Sequence, residues 1–243
     1  MDKSHKTQNK SLKSKQNQIL DLTLSWRGKY CSLTDRNNPS QQLYKIDIDY
    51  LSPQTLSFYT FPDGRAFGSG VIRPISIHPL YTVQSRNMKH ARSGKIKAVK
   101  RFKTWYTYLS YARAVERQQQ QQNQQQDSEF DFSSSAPSQA ADSDRMRPER
   151  MTWEATYTLT QCSLSCIDEN HEPIAHFQGY LWGVKKLGYC EFLSDMSDDM
   201  REEIIVTGGT LYLCIAYRFS SPLALLGALF TKPGPISYEN GEY

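Results

Sequence analysis

The most constraining stretch of the chain is SDDMREEIIVTGGTLYLCIAYRF, residues 197–219. From 204 to 217 it holds no charged residue, and apolar side chains fall on nearly every face of a helix drawn through it. Asp198, Asp199, Glu202 and Glu203 crowd its start and Arg218 closes it, the signs that a helix macrodipole favours at each end. Ser197 stands where a hydroxyl can accept a backbone N–H that the first turn leaves unpaired. A helix apolar all round has to be covered by protein or by lipid. Arg218 and Pro222 cut the apolar stretch 204–230 into runs of 14 and 8 residues. A span needs ~20, so the sequence predicts a buried core helix.

The cover is legible upstream as a period of two. Leu20, Leu22, Leu24 and Trp26 alternate with polar residues, and a short strand is expected over 30–34. Asp35, Asn37, Asn38 and Pro39 supply turn chemistry. Tyr44, Ile46, Ile48 and Tyr50 alternate next, followed by expected strands at 56–61, 67–72 and 80–83. For 102–111, Thr and Tyr dominate, which favours a strand over the helix that Val99, Phe102, Tyr106 and Leu109 would also suit. Alternation resumes with Met151, Trp153, Ala155 and Tyr157, and further strands are expected at 164–167, 174–177, 180–184 and 189–193. Short strands separated by turn signals at this spacing indicate an all-β sandwich or barrel.

Charge is unevenly spread. From 64 to 115 there is no Asp or Glu but eleven Lys and Arg, which leaves 18 basic against 25 acidic residues elsewhere. Such asymmetry produces a positive region able to attract a polyanion. Residues 118–126 hold eight Gln and one Asn, and a mean hydropathy of −0.64 is low for a fully globular chain, so part of it is expected to be disordered. Cys31, Cys162, Cys166, Cys190 and Cys214 are an odd set without a framework spacing, and the first 18 residues lack the apolar core of a secretory leader. These features predict free thiols in a reducing, cytoplasmic compartment, with the protein not secreted and peripheral at most to a membrane.

The segments SLTDRNNPSQQLYKIDID, MTWEAT, SCIDENHEPIAHFQGYLWGVKKLGYCEF and SDDMREEIIVTGGTLY, in that order, resemble the tubby C-terminal-like superfamily, which includes the LURP-one-related proteins, and above all its small fungal members. The resemblance covers roughly 20–219 and is most specific over 184–191 and 202–208. It implies a closed antiparallel barrel of about twelve strands enclosing the C-terminal hydrophobic helix. On that basis residues 1–18 are expected to be a disordered basic arm, 19–220 a barrel with its central helix at about 197–219, 116–150 a disordered Gln-rich insertion, and 221–243 a tail. The chain departs from the family pattern in its Gln tract, in the apolar run 223–230, and in Gly208 and Gly209 inside the helix. Helix-interior glycines cost about 1 kcal/mol each relative to alanine. Close approach of strand side chains to the helix backbone would account for them.

In the tubby branch, basic side chains on the barrel surface bind phosphoinositides. Charge alone proposes Lys89, Lys95, Lys97, Lys100, Arg101 and Lys103 as lipid-headgroup candidates here. The first functional expectation is therefore a non-catalytic module on an anionic membrane surface. The second is a soluble scaffold in which the barrel is inert support and the Gln-rich loop and basic arm bind protein partners. Nucleic-acid binding ranks below both: Phe102, Trp105, Tyr106 and Tyr108 interleave with Lys and Arg as stacking platforms would, but no nucleic-acid motif accompanies them. Cys162, Cys166, His171 and His176 suggest zinc superficially, yet only four residues separate Cys166 from His171, too few for a finger. No nucleophile motif or phosphate loop is present, so no catalytic residue, metal, cofactor or small-molecule substrate is expected.

Overall fold

The computed structural model describes residues 17–25, 30–51, 53–73, 76–86, 90–99, 104–126, 147–181, 183, 185–220 and 233–234. Thirteen strands and two helices follow in the order β1 (Gln18–Leu24), β2 (Tyr30–Asp35), β3 (Asn38–Asp49), β4 (Gln54–Thr60), β5 (Ala66–Ile72), β6 (Leu80–Val83), β7 (Arg92–Lys95), β8 (Lys97–Ala98), β9 (Trp105–Ser110), α1 (Tyr111–Gln126), β10 (Glu149–Tyr157), β11 (Gln161–Ile167), β12 (Pro173–Tyr180), β13 (Lys186–Phe192) and α2 (Asp198–Ser220). Every ladder is antiparallel, and the strands lie in one sheet in the order β7-β6-β5-β4-β3-β2-β1-β13-β12-β11-β10-β9-β8. The mainly β reading of the sequence is met, and the strand expected near 102–111 is β9.

The two edges of this sheet are one stretch of chain. Arg92–Lys95 bonds to β6, with Leu80 opposite Lys95, and after Ile96 the next two residues bond to β9, with Lys97 opposite Thr107. Ile96 and Ala98 point inward and are buried. The barrel is thus nearly closed by a single extended segment that changes partner halfway, which leaves little open edge.

Helix α2 meets strands from several directions. Trp153 of β10 donates its indole N–H to Thr207 Oγ1 at 3.3 Å. A Cβ on Gly208 would lie 3.0 Å from the Trp153 ring, and one on Gly209 would lie 3.2 Å from Phe58 of β4. The two glycines therefore let aromatic rings reach the helix backbone, the close approach that their cost requires. Space is also made from the other side: Gly70 of β5 faces Thr210, and Gly179 of β12 faces the Tyr212 ring. Residues 202–212 are buried without interruption, whereas Leu213, Ala216 and Tyr217 are half-buried, so burial loosens over the last turns of the expected 204–217 core. Each apolar side chain fully withdrawn from water here contributes ~1.5–3 kcal/mol. Among the described residues no helix is long and apolar enough to cross a membrane.

The antiparallel meander gives the barrel two distinct ends. The β2–β3, β4–β5, β6–β7, β9–α1, β11–β12 and β13–α2 connections lie at the end where α2 begins. The β1–β2, β3–β4, β5–β6, β8–β9, β10–β11 and β12–β13 connections lie at the end where α2 finishes. At the first end the starts of the two helices cap each other. Ser197 Oγ accepts from the Met200 N–H at 3.2 Å and Ser110 Oγ from the Arg113 N–H at 3.0 Å. Glu116 of α1 accepts from the Ser197 N–H at 2.5 Å, and Glu203 of α2 accepts from the Ala112 N–H at 3.4 Å. The Gln-rich segment thus begins as structure: residues 116–126, expected to be disordered, are the continuation of α1, because its first turn is fixed by α2. Likewise Glu149 and Arg150 already belong to β10. Residues 127–146, the 1–16 part of the arm and residues 221–232 of the tail lie outside the described residues.

Burial pushes the Glu203 carboxyl up to about 7 from its ordinary 4.5, against the hydrogen bonds from Ser110 and Ala112 that favour its ionised form. Between these two values the folded chain holds a proton that the unfolded chain has released. Its contribution to stability is therefore lost as pH rises through that window. Glu203→Gln removes the titration. In urea unfolding at a series of pH values, the variant should gain on the wild type between pH 4.5 and 7, by up to about 3 kcal/mol. A constant difference across that range would show that Glu203 is not proton-linked to folding.

Candidate functional site

The acid-free stretch 64–115 supplies β5, β6, β7, β8 and β9. In the linear strand order these lie at opposite edges, but the closing segment joins them. They form one continuous side of the barrel whose sequence contains no carboxylate. Seven of its eleven cations are described, and the structure sorts them by end. Arg65 and Arg86 pair with the buried Glu202 of α2. Arg113 pairs with Glu116 at 3.3 Å and with Asp168 at 3.1 Å. Arg92 lies over the Tyr111 ring at 4.7 Å. Three of these four cations answer acids at the end where α2 begins, and Arg92 is engaged there by the aromatic ring. Arg73, Lys95 and Lys97 remain, with no ion pair to a described residue. Arg73 and Lys95 are exposed and Lys97 is half-buried.

Of the six lysines and arginines singled out from sequence, Lys95 and Lys97 are brought together. They flank the inward-pointing Ile96, so strand alternation sends both to the outer face. Lys89, Lys100, Arg101 and Lys103 lie outside the described residues. The stacking-platform idea is corrected in part: Tyr106 is 5 % and Tyr108 0 % exposed, because the same alternation turns both rings inward. Tyr108 donates or accepts at the Cys166 thiol and packs edge-on to Tyr81. Of these aromatic residues Trp105 is exposed, and Phe102 lies outside the described residues.

An open cleft of about 860 Å³ lies beside α1 on the outer face of β9, β10 and β11. Lys97 stands at its margin, since the cross-strand row Lys97, Thr107, Thr152, Ile167 leads from the closing segment across the cleft floor. Arg117, Arg147 and Arg150 line it against Glu149, Glu154, Asp168 and Glu169. Asp168 gathers Arg113 and Arg117, while backbone N–H groups of Asn170 and Glu172 donate to its other oxygen. Those N–H groups and guanidinium groups hold the Asp168 carboxyl below the usual carboxylate range against the burial that raises it. The cleft is therefore a fixed lattice of opposite charges that orders α1 on the barrel. Its net charge does not favour an anion.

The thiols and imidazoles that suggested zinc stand on opposite faces. Cys162 and Cys166 point inward and are fully buried, whereas His176 lies outside, between the Ser163 and Ser165 hydroxyls at 3.4 and 3.3 Å. His171 sits in the β11–β12 turn at φ 64°. Burial pushes the Cys31, Cys162 and Cys190 thiols up to about 12, and raises those of Cys166 and Cys214 as well. Gly68, Ser69 and Gly70 belong to β5, where the glycines face Val206 and Thr210 of α2.

Sequence reasoning missed Arg73 and Lys185 as candidates. Both are exposed where α2 finishes, and the signal was available: the connections at that end contain no Asp or Glu. Comparison of the chain with protein-family models, with curated proteins and with solved structures finds no match. The thiol geometry gives a direct check. A small aromatic disulfide reagent at pH 8 should find none of the five thiols reactive in the folded protein, and all five after unfolding. Rapid labelling of any one in native conditions would place it at the surface.

Proposed function

We propose that this protein is a non-catalytic, tubby-like barrel whose strands enclose α2, and that it binds anionic membrane lipids of the phosphoinositide type through its basic side. The observation that carries the reading is the continuous carboxylate-free wall from β5 to β9, with Lys95 and Lys97 side by side on its outer face. A planar polyanion favours such an arrangement because many weak attractions act at once, each cation near an anionic leaflet contributing around 1 kcal/mol. The cations that answer α2's carboxylates stay in place as structural partners, and those without an ion pair face outward. Raised thiol pKa values support a non-catalytic reading, since no thiolate is poised as a nucleophile.

A second reading treats the barrel as inert support and α1 as the contact. Gln118, Gln119 and Gln120 are exposed on a helix whose start is locked by Glu203, so a rigid, uncharged polar rod is offered to a protein partner.

Co-sedimentation with vesicles separates the two. Binding to phosphatidylserine vesicles containing a few per cent of a phosphoinositide should exceed binding to phosphatidylcholine, and should fall at high salt. Lys95→Gln with Lys97→Gln should weaken partitioning by roughly 30-fold, the loss of about 2 kcal/mol for two lysines. Absence of wild-type binding to anionic vesicles at low salt would remove the lipid reading and leave the scaffold.

A further inference from the structure

The two ends of the barrel differ in chemistry more than its sides do. Where α2 begins, Asp63, Asp168, Glu169, Glu172, Asp195, Asp198 and Asp199 crowd the turns and the helix start. Where α2 finishes, the connecting segments 25–29, 50–53, 73–79, 99–104, 158–160 and 181–185 contain no Asp or Glu at all. Exposed apolar side chains follow the same division. Seven large hydrophobic residues are exposed among those described, and six of them, Tyr30, Tyr50, Leu51, Trp105, Leu159 and Phe219, belong to the end where α2 finishes. The seventh, Phe61, lies at the other. Leu51 is 75 % and Leu159 90 % exposed, each at the tip of a strand connection. Scattered surface leucines need no explanation. Their concentration on one end whose connecting segments carry no carboxylate, beside exposed Arg73, Lys95 and Lys185, does, even with Asp49 exposed at the close of β3 and accepting from the Leu51 N–H at 3.0 Å.

We propose that this end of the barrel is the membrane-contacting face. Tyr50, Leu51 and Leu159 enter the headgroup–acyl boundary, while Arg73, Lys95 and Lys185 meet anionic headgroups around them, with the barrel axis steeply inclined to the bilayer. The occupant is a bilayer surface because the apolar tips come from separate connections, β3–β4 and β10–β11, at an end that also presents the exposed Arg73, Lys95 and Lys185. A protein partner's core would call for a contiguous apolar patch. An interface of apolar anchors and basic residues fits the boundary of an anionic leaflet. This inference rests on the lipid reading above, and it replaces sideways docking on the wall by insertion of one end.

The test uses the full chain with one added cysteine, either Leu159→Cys at the proposed face or Asn37→Cys in the β2–β3 turn at the opposite end. Each is labelled with a polarity-sensitive fluorophore and mixed with phosphatidylserine-containing vesicles. The label at 159 should shift to the blue and brighten, and the label at 37 should not. In parallel, unlabelled Leu51→Ser with Leu159→Ser should bind these vesicles about 100-fold more weakly, about tenfold for each leucine, with unchanged thermal unfolding. Both substitutions are at exposed tips, so folding is not at stake. Vesicle binding with an unshifted label at 159 and an unweakened serine variant overturns the end-on inference and leaves the wall as the docking surface. No vesicle binding by the wild type overturns both.

Discussion

An α-helix without a polar face cannot be satisfied from one side. A two-layer arrangement would leave half of residues 204–212 against water, so the sheet has to come to the helix from several directions. Trp153, Phe58 and Gly70 do so from β10, β4 and β5, and the helix answers with glycine where rings approach and with side chains where the strands carry glycine. The exchange is reciprocal. Large residues on the strands oppose Gly208 and Gly209, while Gly70 and Gly179 oppose Thr210 and Tyr212. Interiors packed to crystal-like density tolerate few voids, so bulk and its absence must alternate across such a contact.

The same helix divides the molecule into two ends. Its first turns carry four carboxylates, and burying Glu202 and Glu203 without partners would cost several kcal/mol. Arg65 and Arg86 therefore gather at that end, and the β9–α1 junction is drawn in to offer the Ala112 N–H. The compensation is partial, since Glu202 Oε2 and Glu203 Oε1 have no hydrogen-bond partner among the described residues, and burial raises both carboxyls. No comparable demand exists where α2 finishes. Arg218 is held by the Tyr106 hydroxyl and the Cys214 thiol, and no carboxylate is called for. Arg73, Lys95 and Lys185 at that end are left to face solvent.

Much of this was legible from residue order, and the illegible part has a common cause. Strands such as β1 and β10 announce themselves because one face is wet and one is dry, so the period of two survives in sequence. The N-cap Ser197 and the need for helix glycines were legible for the same reason: local chemistry determines them. Arg92–Lys95 read only as a charge peak, although Ile96 and Ala98 alternate with Lys95 and Lys97, because its role is to pair with strands remote in sequence. The helical state of residues 116–126 was hidden too. A polar tract has no periodicity to show, and what orders its start is Glu203 from a segment about ninety residues away. Chemistry that depends on which loops share an end of the barrel is invisible until the ladder directions are known. Hence Arg73 and Lys185 were passed over while their neighbours in the basic peak were chosen.

The carboxylate-free wall and the end whose connections carry no carboxylate need not be separate devices. Lys95 stands opposite Leu80, the first residue of β6, so it belongs to the rim as well as to the wall. The cations nearer the other end are held by Glu202 of α2, by Glu116 and Asp168, or by the Tyr111 ring, and a lipid surface would have to displace those partners to reach them. Breaking a buried pair leaves one charge uncompensated at a cost of about 3–5 kcal/mol, more than a single headgroup contact of around 1 kcal/mol returns. Electrostatics therefore grades the wall from engaged to available along the direction of α2. The available part lies at the same end as the exposed leucines, so for the proposed lipid surface that end, and not the flank, is where attraction and apolar burial would act together.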